Sequence, residues 1–398
     1  MTRYSWHRVQ VSDVAMLLAA VVLAATAAAG TAAAAPSGRG SRHSVAVPVS
    51  GTPPPPTGFD ANSITWLSPS EGWIMGAGPC ATGTCTEVIR TTDGAKTWNM
   101  VGTIPAPLPT APNYGSSGVT EIRFATAEVG FAFTPDLYRT TNGGQTWTLM
   151  TIPGKGAQVT ALAANSSRAY VVVSKCAYKT GLCGKPFTFW RSDSLGGSTW
   201  SLVLVLPSVL STDIAAYGQS VYVIASTAIV TPTPDSFYAS TDGLHFSARP
   251  DPCDTAQLVA LTQAVPTSAT DVTLLCVGPA QQLAAVKAVY RSTDTGKHDA
   301  SLGSPGINGN DGDLAVSPTG DMAVASVSAD SLMYINEKGG PTWTCSVSKS
   351  DGGLGFNDVV YRNDHQVWVV YAPAQNFVSV GQVWESPDNG RHWVVVSV

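Results

Sequence analysis

Four carboxylates are the residues best suited to chemistry in this chain: Glu121, Asp213, Asp313 and Asp358, each near the start of a short apolar run. Ser63 and Thr160 hold the equivalent places in two further runs. Gathered in a ring, such acids could hold a cation such as Ca2+ through oxygen ligands. Two of them could instead serve as acid and base on a glycoside, their separation deciding the mechanism. The plainer alternative is structural, with each side chain capping main-chain amides of a neighbouring unit. Arg123, two residues after Glu121, and Tyr114, in a long Pro/Gly/Ser connection, are the candidates for an anionic contact and an exposed stacking contact. Asp311 and Asp351 lie in Gly-rich loops and are secondary candidates. Histidine offers less. His245, His298 and His392 sit inside repeated turns and His365 in a turn on the same side, so neither a zinc cluster nor a nucleophilic triad can be assembled. Nucleophile-elbow and phosphate-cradling motifs are absent from the sequence.

The 398 residues carry a net charge of −5, with 12% charged against 44% apolar side chains. So much apolar material with so little charge excludes a disordered chain. The acidic balance excludes nucleic acid as a partner, because no basic footprint exists to neutralise phosphates. Arg3, His7 and Arg8 precede an apolar, alanine-rich run from Val14 that ends in small residues, so residues 1–35 read as a secretory signal or, uncleaved, as an N-terminal anchor. Residues 36–57, with Pro53–Pro56, read as a tether. Membrane contact is therefore expected only if the first segment stays attached, and an extracytoplasmic, secreted or cell-surface location follows. Seven cysteines fit that compartment. Cys80 with Cys85, Cys176 with Cys183, and Cys253 with Cys276 are the expected disulfides, leaving Cys345 over.

The elements that must position the acids follow from a repeat. TTDGAKTW (Thr91–Trp98) recurs as TTNGGQTW (Thr140–Trp147) and SPDNGRHW (Ser386–Trp393). Degenerate copies begin at Ser192, Ser240, Ser292 and Asn336, giving seven copies about fifty residues apart. Around each turn lie four short β-branched or aromatic runs separated by Gly, Asn, Asp and Pro, the pattern of strands and hairpins. Seven repeats of four strands over residues 58–398 predict an all-β, seven-bladed β-propeller of four-stranded antiparallel blades, expected as a monomer.

The turn resembles the Asp-box of sialidase-like BNR-repeat propellers, and FATAEVGFAF with LYRTTNGGQTW is similar to propellers of the photosystem II stability/assembly-factor type. That resemblance implies structural carboxylates at Asp93, Asn142, Asp193, Asp242, Asp294 and Asp388, each holding turn amides between a blade's third and fourth strands. Ala95, Lys338 and an aromatic-free fifth copy depart from the pattern, and those turns are expected to be looser. The resemblance also implies a ligand face opposite the turns, here called the top. Long loops and both short-range cysteine pairs fall there. Arg90, Arg139, Arg191 and Arg291 recur beside the turns, which leaves Arg123 and Arg249 for the top. Three converging arginines cannot be found, so a true sialidase is excluded. Trp66, Trp73, Phe131, Trp190, Trp368 and Trp384 are expected in the core between blades. The expected function is an exported, non-catalytic propeller binding an envelope protein or glycan through its top face, without a cofactor. The alternatives are a glycosidase-type hydrolase or lyase using Glu121, Asp213, Asp313 and Asp358, and an assembly or stability factor for an envelope complex.

Overall fold

The computed structural model describes residues 53–398 apart from 56, 82, 109–116, 155, 176–185, 207–210, 227–234, 254–259, 279–283, 310–311, 328–330, 350–354 and 373–380. Residues 1–52, the Cys176–Cys183 pair, Tyr114, Asp311 and Asp351 fall outside the described residues.

Among the described residues, twenty-eight strands form seven four-stranded antiparallel sheets, each built from consecutive strands. Numbered in chain order, the first strands of the blades are β1 (Asp60–Trp66), β5 (Val119–Phe124), β9 (Gln158–Ala164), β13 (Ser211–Tyr217), β17 (Ala260–Pro266), β21 (Asp313–Val316) and β25 (Gly355–Tyr361). The second strands explain why the sequence reads as near-continuous apolar runs. β6 (Gly130–Pro135), β10 (Ala169–Ser174), β14 (Ser220–Ser226) and β18 (Val272–Val277) are buried at every residue, because a neighbouring blade covers each face. The polar alternation of a sheet wet on one side is therefore missing. The core is divided among the seams, and side chains of successive blades interleave in separate clusters. Trp73, Trp368, Trp66 and Phe131 lie in these seams as expected, whereas Trp190 and Trp384 are half-buried.

Among the described residues no strand is exchanged to shut the ring. Blade one keeps its four strands, and the last strand, β28 (Val394–Val396), stays in blade seven. Closure falls to side chains and one short bridge. Trp66, Trp98 and Trp368 meet with ring centroids 5.1–6.2 Å apart, and Phe59, Val396 and Val398 pack beside them. Ala61 and Gly381 exchange main-chain hydrogen bonds of 2.8 and 2.7 Å across the same seam.

The repeated turns all join third to fourth strands. In the first, Asp93 Oδ1 accepts from Thr97 N at 3.0 Å and Oδ2 from the Thr97 hydroxyl at 2.7 Å. Asn142, Asp242, Asp294 and Asp388 bond their own turns similarly, while Asp193 accepts from Ser194 N. The expected loosening is not seen in the first copy. Ala95 adopts a left-handed φ of 66° and still donates its amide to Thr91 Oγ1. In the sixth copy other groups stand in for the missing carboxylate: Asn336 Nδ2 donates to the Thr342 carbonyl at 2.8 Å, and Asp321 Oδ1 accepts from Lys338 N.

Candidate functional site

The sequence-predicted acids come together around the axis, although their side chains point into seams rather than into an open mouth. Each first strand lines the axis by its edge, so its side chains face the blades on either side. Asp213 Oδ2, on β13, accepts from Ala264 N of blade five at 2.9 Å. Gln263, on β17, accepts from Leu314 N of blade six and donates to Asp313 Oδ1 at 3.0 Å. Asp313 Oδ2 accepts from Val359 N of blade seven at 2.9 Å. Asp358 Oδ2 accepts from Ile64 N of blade one at 2.7 Å and from the Ser63 hydroxyl at 2.6 Å. Ser63 Oγ in turn accepts from Ile122 N of blade two. Thr160 and Thr212 share a hydroxyl contact of 2.9 Å between blades three and four. The result is a belt in which one blade's polar side chain takes up the next blade's amide.

Arg123 crosses this belt. Its guanidinium lies 3.1 Å from Asp358 Oδ1 and 3.5 Å from Glu121 Oε2, and it also donates to Ser63 Oγ. One residue of blade two thus reaches blade one and blade seven, over the seam that no strand among the described residues bridges. Expected as a top-face residue, Arg123 is 2% exposed. Arg249, the other arginine assigned to the top, is placed differently. Its Nε donates to the Thr295 carbonyl in the fifth repeated turn, so it belongs to the turn side. The short strand β16 (Ser247–Arg249) leaves Arg249 close to that turn, within reach of a long side chain.

Gln263 was not singled out from the sequence. A β-bulge between Leu261 and Gln263 inserts one residue and shifts the register. Similar irregularities occur in β1 between Ala61 and Ser63 and in β25 between Asn357 and Val360. The last puts Asp358 at a left-handed φ of 46°, which Asp tolerates better than most side chains. A polar residue beside Thr262 in an otherwise apolar run was the available signal.

Burial dominates the electrostatics. It pushes Glu121 well up; Arg123 partly offsets this, and Asp358, Asp213 and Asp313 add to it. Burial likewise raises Asp213 to about 7 against the Ala264 amide, with Asp313 raising it further. Asp213 Oδ1 has no hydrogen-bond partner. The arrangement can therefore bind protons near neutral pH, but Glu121, Asp213, Asp313 and Asp358 are each 5% exposed or less. Among the described residues, no three His, Cys, Asp or Glu side chains are grouped so as to hold a metal ion.

Among the described residues, Cys80–Cys85 fastens the top of blade one, Cys253–Cys276 is fully buried in the seam between blades four and five, and Cys345 is a free, exposed thiol. No helix among the described residues is long and apolar enough to cross a membrane.

No family model matches the chain, and no curated protein matches it. Solved structures do. YCF48 bound to D1 peptide is 13% identical, covering 81% of this chain and 97% of its own, with a TM-score of 0.50. YCF48 from Cyanidioschyzon merolae is 14% identical over 81% and 96%, with a TM-score of 0.47. The β-propeller domain of the Trilobed protease from Pyrococcus furiosus is 9% identical over 86% and 97%, with a TM-score of 0.51, and is described as having an open velcro topology. At these identities the likeness is one of fold.

Proposed function

We propose that this chain is an exported, non-catalytic propeller that binds a protein or glycan partner through its top face. One observation carries the reading: Asp213, Asp313 and Asp358 each spend a carboxylate oxygen on the next blade's amide. Three of the four acids best suited to glycoside chemistry are thereby engaged in holding the ring, and the fourth, Glu121, is buried beside Arg123. The top loops are left for recognition, and Cys80–Cys85 staples the tip of blade one among them, which reduces the freedom lost on binding. The disulfides support an extracytoplasmic location. Support for a protein partner also comes from YCF48, a propeller of similar fold that was solved with a peptide. The narrower form of the reading makes the partner a subunit of an envelope complex that the propeller helps to assemble.

The test pairs a pull-down from the envelope fraction with a polysaccharide-hydrolysis screen on the same full chain. A saturable partner without hydrolysis is the expected result. Hydrolysis that disappears in a folded Glu121→Ala or Asp313→Ala variant would overturn the reading in favour of a glycosidase.

A further inference from the structure

Blade one departs from the other six at its top. Its second and third strands, β2 (Gly72–Cys80) and β3 (Gly83–Thr91), have nine residues each, against four to seven in the corresponding strands elsewhere. Pairing between them runs on to Cys80 and Gly83. The flanking strands stop earlier, β1 opposite Ala77 and β4 (Asn99–Ile104) opposite Thr86. Three residue pairs therefore stand above the sheet as a two-stranded ribbon. Such a ribbon is marginal alone in water, and Cys80–Cys85 fastens this one.

The two edges of the ribbon differ. The two-residue turn pairs Cys80 with Gly83, so Thr84, like Thr86 two residues on, directs its N–H and C=O away from β2. Thr86 uses that direction to pair with Ile104 of β4. No strand among the described residues pairs with Thr84. On the opposite edge the corresponding residue is Pro79, which has no N–H to offer. The ribbon thus accepts a strand on one side.

A charge lies beside that side. Glu87 is 5% exposed, and its Oε2 has no hydrogen-bond partner. Its cross-strand neighbours are Gly76, with no side chain, and Thr103. By strand alternation Glu87 shares a face with Cys85. Pro79, Ala81, Gly83 and Thr84 at the tip are small, exposed and uncharged, which leaves Glu87 as the charged residue of β2 and β3 nearest the tip.

We propose that the ribbon accepts an extended, basic peptide strand of the partner, extending the line of β4. One peptide residue exchanges main-chain hydrogen bonds with Thr84, and the residue just before it, a Lys or Arg opposite Cys85, sets its cation against Glu87. Charge complementarity selects this occupant: an unpartnered carboxylate on a chain of net charge −5 favours a cation. The inference rests on the protein-binding form of the function proposed above.

Random dodecapeptides displayed on phage, selected against the full chain, provide the probe, and an enriched peptide is titrated by fluorescence anisotropy. Enriched peptides should carry Lys or Arg. Thr84→Pro should weaken binding at least tenfold, and Thr84→Val, which keeps the N–H, should bind as the parent does. Exchanging the peptide lysine for norleucine should cost at least fivefold on the parent chain and nothing on Glu87→Gln. Equal binding to Thr84→Pro, a lysine preference that survives Glu87→Gln, or no enrichment would overturn the ribbon. The envelope pull-down decides the broader reading separately, because a partner captured equally by Thr84→Pro leaves that reading standing.

Discussion

Arg123 of blade two sits 3.1 Å from Asp358 of blade seven, so one ion pair spans the blade between them. The same carboxylate caps Ile64 N, which ties blade one into the pair. Where no strand among the described residues is shared between blades, this is the polar counterpart of the tryptophan cluster in that seam. Removing one partner of this buried pair takes the counter-charge from the other. Arg123→Met should therefore destabilise the chain by about 3–5 kcal/mol. Denaturant unfolding of Arg123→Met, Asp358→Asn and the double variant measures it. A double variant as unstable as the two single losses added together would show that the pair is not coupled.

Asp213 predicts the opposite sign. Burial pushes its carboxyl up to about 7 from an ordinary 3.8, so between those values the native state holds a proton that the unfolded chain has lost. Stability should fall as pH rises from about 4 to 7 and level off above. In Asp213→Asn the side-chain carbonyl still accepts the Ala264 amide, and no charge is buried. The variant should be more stable than the parent at pH 8, by an amount of order 2–4 kcal/mol, and no more stable at pH 4. Parallel pH profiles for the two chains would sink the assignment.

The fold was legible because its turns are written in side chains. Asp93 with Thr97, and Asp388 with its neighbours, mark the third-to-fourth-strand connection directly. The axis was legible only in part. Ser63, Asp213, Asp313 and Asp358 were found, but Gln263 was not, because a bulge is a main-chain event that residue spacing does not record. Arg249 was assigned to the wrong side for a related reason. Strand order fixes where a Cα lies, whereas the length of an arginine side chain decides what it touches.

The repeated turns should set the acid limit. Partial burial pushes Asp93 up, and bonds from the Thr97 amide, the Thr97 hydroxyl and the Thr91 hydroxyl more than reverse that, leaving it below the usual range. Asp242 is held low mainly by His245, and Asp294 by His298. Groups lowered in this way contribute stability that is complete above the unfolded carboxylate range and is lost as pH falls through the folded values. The melting temperature should thus drop below about pH 4, the reverse of the trend set by Asp213. Asp93→Ala should cost about 1 kcal/mol at pH 7, by analogy with other side chains that cap main-chain amides, and less at pH 2. An equal cost at both would remove the charge from the explanation.

Lys287 is fully buried and directs its ammonium at three carbonyls, Ala285 and Asn308 at 3.1 Å and Gly309 at 2.7 Å. It holds the connection between blades five and six as a bound cation would. Lys287→Met keeps the unbranched stem of the side chain, one atom shorter, and removes its three donors. The loss should be about 2–3 kcal/mol, with faster amide exchange confined to residues 303–309. Uniformly faster exchange across the chain would mean that Lys287 supports the core rather than that connection.

The fifth repeated turn is the place where the sequence departs from its own pattern with a measurable consequence. Aligned on Thr91–Trp98, the stretch Ser292–Asp299 puts Asp299 where the first copy has Trp98. Trp98 packs into its seam, whereas Asp299 is half-buried with Oδ1 unpartnered and its carboxyl pushed up to about 6, first by burial and then by Asp294. Tyr222, on blade four, likewise has a buried hydroxyl without a partner. An aromatic ring at position 299 would bury apolar surface and remove an acid that ionises at a cost. Asp299→Phe should therefore stabilise the chain by about 1 kcal/mol at pH 7. Because the raised carboxyl is protonated at low pH, the gain should shrink when unfolding is measured at pH 4.5. A destabilised Asp299→Phe would mean that this seam, unlike the one around Trp98, has no room for a ring.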